Sequence, residues 1–372
     1  MHLVPSADGV ESIPTVIIGG GQAGLVMGYH LQRLGEPFVI LDAQPRIGDT
    51  WRNRWDSLRL FTSPKLSSLP GWPMQLSTFP THDEMADYLE AYAHHFNLPV
   101  RSGVRVSRLS RSGELFRLAT TQGELQAERI VVATGGYNTP FTPDFAGELT
   151  PEVRQLHSAE YRNPGQLKGA VLVVGAGNSG AEIALEAVRS GHPTWLAGRH
   201  PGQVPFRLET RRARVLLPIV GFVFRKVLTL DTPMGRKLQR PRIEHGHNLV
   251  RTKLSDLQTA GVERVGRIDR VSNGLPVTQD DDVLEPATVV WCTGYRTDYS
   301  WIDFRVAGED GYPINDRGVS PESGLYFLGL EFQFAFASAT ISGLDQDARH
   351  LVRAMAKQPS ARTVATPQSA AA

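Results

Sequence analysis

The chain has one cysteine in 372 residues, Cys292. A disulfide framework is excluded, as is a dithiol redox pair within the chain. This scarcity fits a reducing, cytoplasmic compartment. Charge of one sign is also lacking: 39 lysines and arginines face 38 aspartates and glutamates, a formal net charge of +1. Only a local patch, and no long-range field, would draw such a chain to nucleic acid or an anionic surface, and no nucleic-acid partner is expected. Long hydrophobic runs are missing. The most apolar stretch, VLLPIVGFVFRKVLTL at 215–230, is interrupted by Pro218 and Gly221 and charged at Arg225 and Lys226. It falls short of the roughly 20 apolar residues of a membrane span. It reads by default as a core helix, with a hydrophobic substrate entrance and a dimer or lipid-surface contact as the alternatives. The N-terminal MHLVPSADGVESIP has no basic region followed by an apolar segment, so no signal peptide is expected. G-x-S-x-G, H-E-x-x-H and paired-cysteine metal motifs are absent, so neither a nucleophilic triad nor a metal site is expected.

Two nearly matching stretches stand out, TVIIGGGQAG near the start and AVLVVGAGNSG much later. Each is an apolar run followed at once by a glycine-rich turn. In the first, Thr15–Ile18 reads as a buried strand, Gln22–Leu34 as a helix and Phe38–Leu41 as the next strand, ending in Asp42. Gly19, Gly21 and Gly24 have G-x-G-x-x-G spacing: one glycine for the tight turn, one to let a pyrophosphate approach the backbone, one for close helix–strand packing. Gln22 and Ala23 open the helix, whose N–H groups face the phosphates, and Asp42 is spaced to accept from ribose hydroxyls. In the second unit Ala170–Val174 is a strand, Ala181–Arg189 a helix and His192–Ala197 a strand. Gly175, Gly177 and Gly180 repeat the spacing around Asn178 and Ser179. Arg199 stands where the first unit has its acid. An arginine there binds a 2′-phosphate that a carboxylate would repel; the alternative is a solvated surface residue. We read FAD at the first turn and NADPH, with NADH as an alternative, at the second. Donor and acceptor in one protein explain why the feature is built twice.

Between the two units, His82–Phe96 reads as an amphipathic helix, and GVRVSRL, ELFRLAT and ELQAERIVVATG as antiparallel strands beside the main sheet. Leu254–Thr259 is a short helix, Val262–Val265, Ala287–Cys292 and Leu325–Leu328 are strands, and a last helix runs from about Ser338 to Ala356. The expected fold is α/β: two nested Rossmann-like dinucleotide-binding domains, each a parallel sheet with flanking helices and a small antiparallel layer. The FAD domain is expected at 1–140 and 295–357. The NADPH domain is expected at 141–294, with a substrate-entrance insertion at 203–250. A disordered tail is expected at 358–372.

Across about Pro14 to Met355 the chain resembles the flavin-containing monooxygenases, bacterial class B members and their plant auxin-synthesis relatives. GGGQAG with LDAQPRIGDTWRNRWDSLRL, ATGGYNTP, VVGAGNSGAEIA, CTGYRTD and SGLYFLGLEFQ carry the likeness. The resemblance implies FAD contacts at Gly48, Thr50, Trp51, Val106, Thr134, Gly135 and Gly329, and NADPH contacts at Thr293 and Gly294. The family fingerprint would be Phe145, Gly147, His157 and Tyr161, with a longer spacer than usual. His157 is a candidate to position NADPH or a hinge histidine. Tyr161 stands where the Baeyer–Villiger relatives carry tryptophan, which ranks heteroatom above ketone oxygenation. Thr62 and Ser63 are candidates near the flavin edge, or loop caps. Trp51, Trp55, Phe61 and Trp72 either wall a dry pocket or fill core.

The implied chemistry is NADPH-dependent insertion of one oxygen atom from O2 into a sulfide or amine through a C4a-hydroperoxyflavin, on a small apolar or amphipathic substrate. An uncoupled NADPH oxidase, a Baeyer–Villiger enzyme and a non-catalytic flavin protein are the alternatives. A two-dinucleotide disulfide reductase would need a second redox cysteine. The start of the last helix is expected to point at the flavin and stabilise negative charge on it.

Overall fold

The computed structural model describes residues 10–208, 210–245 and 248–357; the tail expected at 358–372 lies outside them. Strand β1 (Glu11–Ile18), helix α1 (Gln22–Arg33) and strand β2 (Phe38–Asp42) form the first βαβ unit. Every residue of β2 and the whole Val16–Ile18 end of β1 are buried, as a parallel sheet covered on both faces requires. The aromatic loop that follows holds two single-turn helices, α2 (Asp49–Arg52) and α3 (Pro64–Ser67). Helix α4 (His82–His95) begins at a capping box. The Thr81 hydroxyl accepts from the Glu84 N–H at 3.1 Å, and the Glu84 carboxylate accepts from the Thr81 N–H at 2.8 Å. Strands β3 (Val100–Ser102), β4 (Val106–Ser112), β5 (Leu115–Thr120) and β6 (Gly123–Val132) complete the sheet in the order β3-β2-β1-β6-β5-β4. β3, β2, β1 and β6 are parallel, and β4–β5–β6 is an antiparallel meander.

The chain crosses through β7 (Thr139–Pro140) and builds a second sheet from β8 (Arg154–His157), β9 (Val171–Val174), helix α5 (Asn178–Arg189) and β10 (Thr194–Ala197). Helix α6 (Arg211–Phe222), a π-helical turn (Val223–Val227) and helix α7 (Pro233–His245) then stand apart from that sheet. Helix α8 (Leu254–Ala260), β11 (Glu263–Val265), the hairpin β12 (Ile268–Ser272)–β13 (Leu275–Thr278) and β14 (Thr288–Trp291) follow. The second sheet is wholly parallel, in the order β11-β10-β9-β14-β8. The return crossing, β15 (Tyr295–Arg296), pairs antiparallel with β7. Finally β16 (Leu325–Phe327) joins β6 in parallel, and α9 (Ile341–Lys357) packs on α1. The second sheet is therefore an insertion into the first, so the nested α/β architecture read from the sequence is the one observed.

Two expectations need correction. The 215–230 stretch is helical as far as Val227 but is not core: Leu216, Ile219, Phe222 and Val227 are exposed, although Leu228 is buried and Phe224 half-buried. The last helix begins at Ile341 rather than Ser338. The Ser338 hydroxyl accepts from the N–H groups of Phe334 and Ala335 at 3.0 and 2.9 Å, which holds this residue in a turn behind the helix.

Candidate functional site

Both glycine turns lie at the carboxyl ends of parallel strands, where an open α/β sheet leaves a crevice. At the first, Gly19 has φ +111°, and a Cβ there would sit 2.5 Å from the Ala133 carbonyl oxygen. A Cβ on Gly24 would sit 1.9 Å from the Gly19 oxygen. Over Gly21, by contrast, no heavy atom lies within 4 Å of the added carbon. So Gly19 and Gly24 are demanded by packing, whereas Gly21 borders free space wide enough for a group to lie on the backbone. Helix α1 opens at Gly21 with no side-chain cap and no acid in its first turn, so its leading N–H groups and its dipole favour an anion there. The Gln22 amide oxygen accepts from Trp51 Nε1 at 3.3 Å.

Asp42 is buried at the end of β2 and accepts from the Gln44 N–H at 3.1 Å. Burial holds its carboxyl above the usual carboxylate range, a cost that hydroxyl donors would relieve. The Val104 N–H donates to the Asp42 carbonyl at 2.8 Å, which brings the half-buried Val106 region to this edge. Gly329 has φ +90°, and a Cβ there would lie 3.3 Å from that of Ala23, so the exit of β16 borders the first turn of α1. Thr134 is half-buried and Gly135, at φ +72°, exposed where β6 ends. Gly48 serves packing: a Cβ would meet the Ala86 oxygen of α4 at 2.6 Å. Thr50 is exposed and Trp51 half-buried.

The second turn repeats the first. Gly175 has φ +110° with the Cys292 oxygen 2.2 Å from an added Cβ, Gly180 would meet the Gly175 oxygen at 1.8 Å, and Gly177 is open to 4 Å. Helix α5 likewise opens with no side-chain cap. The Asn178 amide is engaged by the 248–250 loop, donating to the Asn248 carbonyl at 3.0 Å and accepting from the Val250 N–H at 2.9 Å. Its backbone N–H, with that of half-buried Ser179, is what it offers a phosphate. Arg199 is exposed just beyond β10. Burial pushes the Cys292 thiol upward, so it stays protonated and unreactive.

The two crossings form the seam between the turns. The Phe141 N–H donates to the Gly294 carbonyl at 3.0 Å, and the Thr293 hydroxyl donates to the Phe141 carbonyl. His157 is buried beneath them. Its Nδ1 accepts from the Ala159 N–H and its Nε2 donates to the Gly294 carbonyl, each at 3.1 Å. Burial lowers its pKa, so the ring is neutral. Tyr295 packs edge-on to His157, 5.2 Å between centroids, and accepts from Arg54 Nη1 at 2.7 Å. Arg54 also lies 5.3 Å from the Tyr137 ring. The aromatic loop is tied to the second sheet's side: Arg162 Nη1 donates to the carbonyls of Arg52 and Arg54, and Arg251 Nη2 to that of Leu60 at 2.7 Å.

Other candidates are engaged in packing or local bonds. Tyr161 is fully buried and donates to Glu186 at 3.0 Å, so it is a packing residue of the second unit. The Thr62 hydroxyl is bonded to that of Ser67 at 2.7 Å, and Ser63 precedes α3 as its N-terminal flank without a side-chain cap bond. Trp55 fills the second sheet's apolar cluster. Trp72 is stacked between Tyr88 and His95 at 5.6 and 4.8 Å. Trp51, Phe61 and Trp72 are half-buried, and only Trp55 of the four aromatics is buried. Sequence reasoning did not single out Arg54, Arg162, Arg251, Tyr295 or Gln333; the last is buried and accepts from the N–H groups of Gly329 and Leu330.

Known proteins agree with this arrangement. Residues 16–212 match the profile of the pyridine nucleotide-disulphide oxidoreductase family. An uncharacterized CzcO-like oxidoreductase of Geobacillus kaustophilus is 38% identical over 345 residues, covering 91% of this chain and 97% of that one. An indole-3-pyruvate monooxygenase of Oryza sativa is 30% identical over 377 residues, covering 91% and 90%. The solved flavin-containing monooxygenase from Stenotrophomonas maltophilia has a TM-score of 0.75 at 29% identity, covering 93% and 99%. With two like-built glycine turns and these likenesses running almost end to end, the chain belongs to the pyridine nucleotide-disulphide oxidoreductase family and, within it, to the flavin-containing monooxygenases.

Proposed function

We propose that this protein transfers one oxygen atom from O2 to a soft nucleophile, a sulfide or an amine, with NADPH as reductant and FAD as the resident cofactor. The balance for a sulfide is NADPH, a proton, O2 and the sulfide giving NADP⁺, water and the sulfoxide. We assign the residues up to 140 together with 295–357 to FAD and 141–294 to NADPH. The observation that carries the reading is the pair of glycine cradles at Gly21 and Gly177, built alike, one in each of the two βαβ units that the β7–β15 crossing connects.

FAD, when bound, supplies the electron transfer and oxygen activation that no side chain here can perform. The chain's own residues bind, orient and dry the site. The N–H groups opening α1 hold the pyrophosphate, and Asp42 takes ribose hydroxyl protons in hydrogen bonds. The second turn and Arg199 hold the NADPH phosphates. His157, with its Nε2–H on the Gly294 carbonyl, would hold the return crossing in place for NADPH to be oriented. Arg162 and Arg251 clamp the aromatic loop across the seam, which limits water there.

The geometry favours a substrate that needs no activation by the protein. Both ring nitrogens of His157 are engaged, and the Thr62 hydroxyl is bonded to Ser67. A sulfur or amine lone pair meets that condition. The test is NADPH turnover by the FAD-loaded protein with methyl phenyl sulfide and with a tertiary amine. Sulfoxide or N-oxide stoichiometric with NADPH is expected. Hydrogen peroxide stoichiometric with NADPH, and no oxygenated product from either substrate, would make it an oxidase instead.

A further inference from the structure

We infer that the α6–α7 segment is a docking surface for an anionic phospholipid bilayer. The inference goes beyond the redox reading and stands without it. Six of the ten large hydrophobic side chains exposed among the described residues lie in this one segment: Leu216, Ile219, Phe222, Val227, Met234 and Leu238. Ile219 and Phe222 are 56% and 57% exposed and Met234 61%. Leu216, Ile219 and Phe222 follow one another at three-residue spacing, which places them along one stripe of α6. The opposite side is anchored. Ala213 and Leu228 are buried, and the Phe224 ring lies 4.3 Å from that of Phe336. Leu230 donates to the Phe334 carbonyl and Phe336 to that of Leu228, each at 2.8 Å. The stripe is thus held outward on a fixed base.

Charge selects the occupant. Residues 211–245 carry nine lysines and arginines against two acids, in a chain of net charge +1. The remainder of the sequence is therefore net negative, and this segment carries the excess of positive charge. Lys226, Arg236 and Lys237 are exposed beside the apolar stripe. Lys226 and Arg236 donate to neutral oxygens, those of Gln346 and Leu230, which leave their charge in place. An apolar stripe flanked by cations is the pattern of a helix lying in a bilayer interface, and an anionic leaflet rewards each such cation. A second copy of the chain satisfies only half of the pattern: a two-fold contact would set this positive segment against itself. Among the described residues no helix is long and apolar enough to cross a membrane, so the contact is interfacial.

Co-sedimentation of the full, FAD-loaded chain with vesicles tests this. We expect binding to vesicles of phosphatidylcholine with phosphatidylglycerol, little to phosphatidylcholine alone, and release by salt. Phe222→Ser should lower the partition coefficient at least about tenfold, and Lys237→Glu roughly fivefold or more. Ile219→Ser repeats the first test at a second exposed site. FAD content should be unchanged in all three, which separates this inference from the redox reading. Three results would overturn it: no binding to phosphatidylglycerol vesicles, binding indifferent to all three substitutions, or concentration-dependent self-association abolished by Phe222→Ser without vesicle binding.

Discussion

His157 donates its Nε2–H to the carbonyl oxygen of Gly294, 137 residues further along the chain, at 3.1 Å. One buried ring thereby joins the end of β8 to the return crossing. Losing such a buried bond costs roughly 1–3 kcal/mol. His157→Phe should lower stability by that order and slow reduction by NADPH, with FAD retained. Burial depresses the ring's pKa below its ordinary 6.5. The stability it contributes is therefore present above that value and lost as pH falls through the depressed one. Thermal unfolding of the native protein should weaken on acidification more than that of His157→Gln. Equal pH profiles would contradict this.

Gly21 and Gly177 differ in kind from their neighbours in each turn, because an added methyl there meets nothing in the protein. Gly21→Ala should fold and lose FAD affinity. Gly177→Ala should keep FAD and lose its reduction by NADPH. Gly24→Ala and Gly180→Ala, which drive carbon into carbonyl oxygens at 1.9 and 1.8 Å, should instead impair folding. Absorbance of bound flavin and circular dichroism distinguish the two outcomes.

Arg199→Ala should weaken NADPH binding by about tenfold to a hundredfold, the worth of a charge-assisted hydrogen bond, and leave NADH nearly unaffected. Equal losses for both nucleotides, measured by titration, would remove the 2′-phosphate assignment.

Asp347 is a buried residue of α9 whose carboxyl meets Ser338 of the turn before the helix. Burial holds its carboxyl up at about 6, against the opposing influences of Ser338 and Arg317. A carboxyl whose folded value exceeds its ordinary 3.8 stabilises the fold at acid pH, and this is lost as pH rises through about 6. Ionised there, it costs up to about 3 kcal/mol. Asp347→Asn should gain stability relative to the native chain between about pH 4 and pH 7. An unchanged difference across that window would contradict the buried-carboxyl account.

What the sequence made legible was local. Both βαβ units announce themselves through apolar runs, glycine spacing and a following strand, and the amphipathic pattern of His82–Phe96 marks α4. The seam is built otherwise. Arg54 meets Tyr295 across 241 residues and Arg162 meets Arg54 across 108, and no spacing rule connects such pairs. Hydrophobicity identified 215–230 as unusual but not which side is covered, because that depends on Phe336, a residue of another part of the chain. Thr62 looked available until Ser67 was brought to its hydroxyl by the turn of α3.

The most direct test of the central claim is anaerobic mixing of the purified, FAD-loaded protein with NADPH while the flavin absorbance is followed. Two cradles serving one seam predict that the bound flavin bleaches fully, at a rate that saturates with NADPH, and that Gly177→Ala slows it without releasing FAD. A protein that retains no FAD, or whose bound flavin NADPH leaves oxidised, would contradict it.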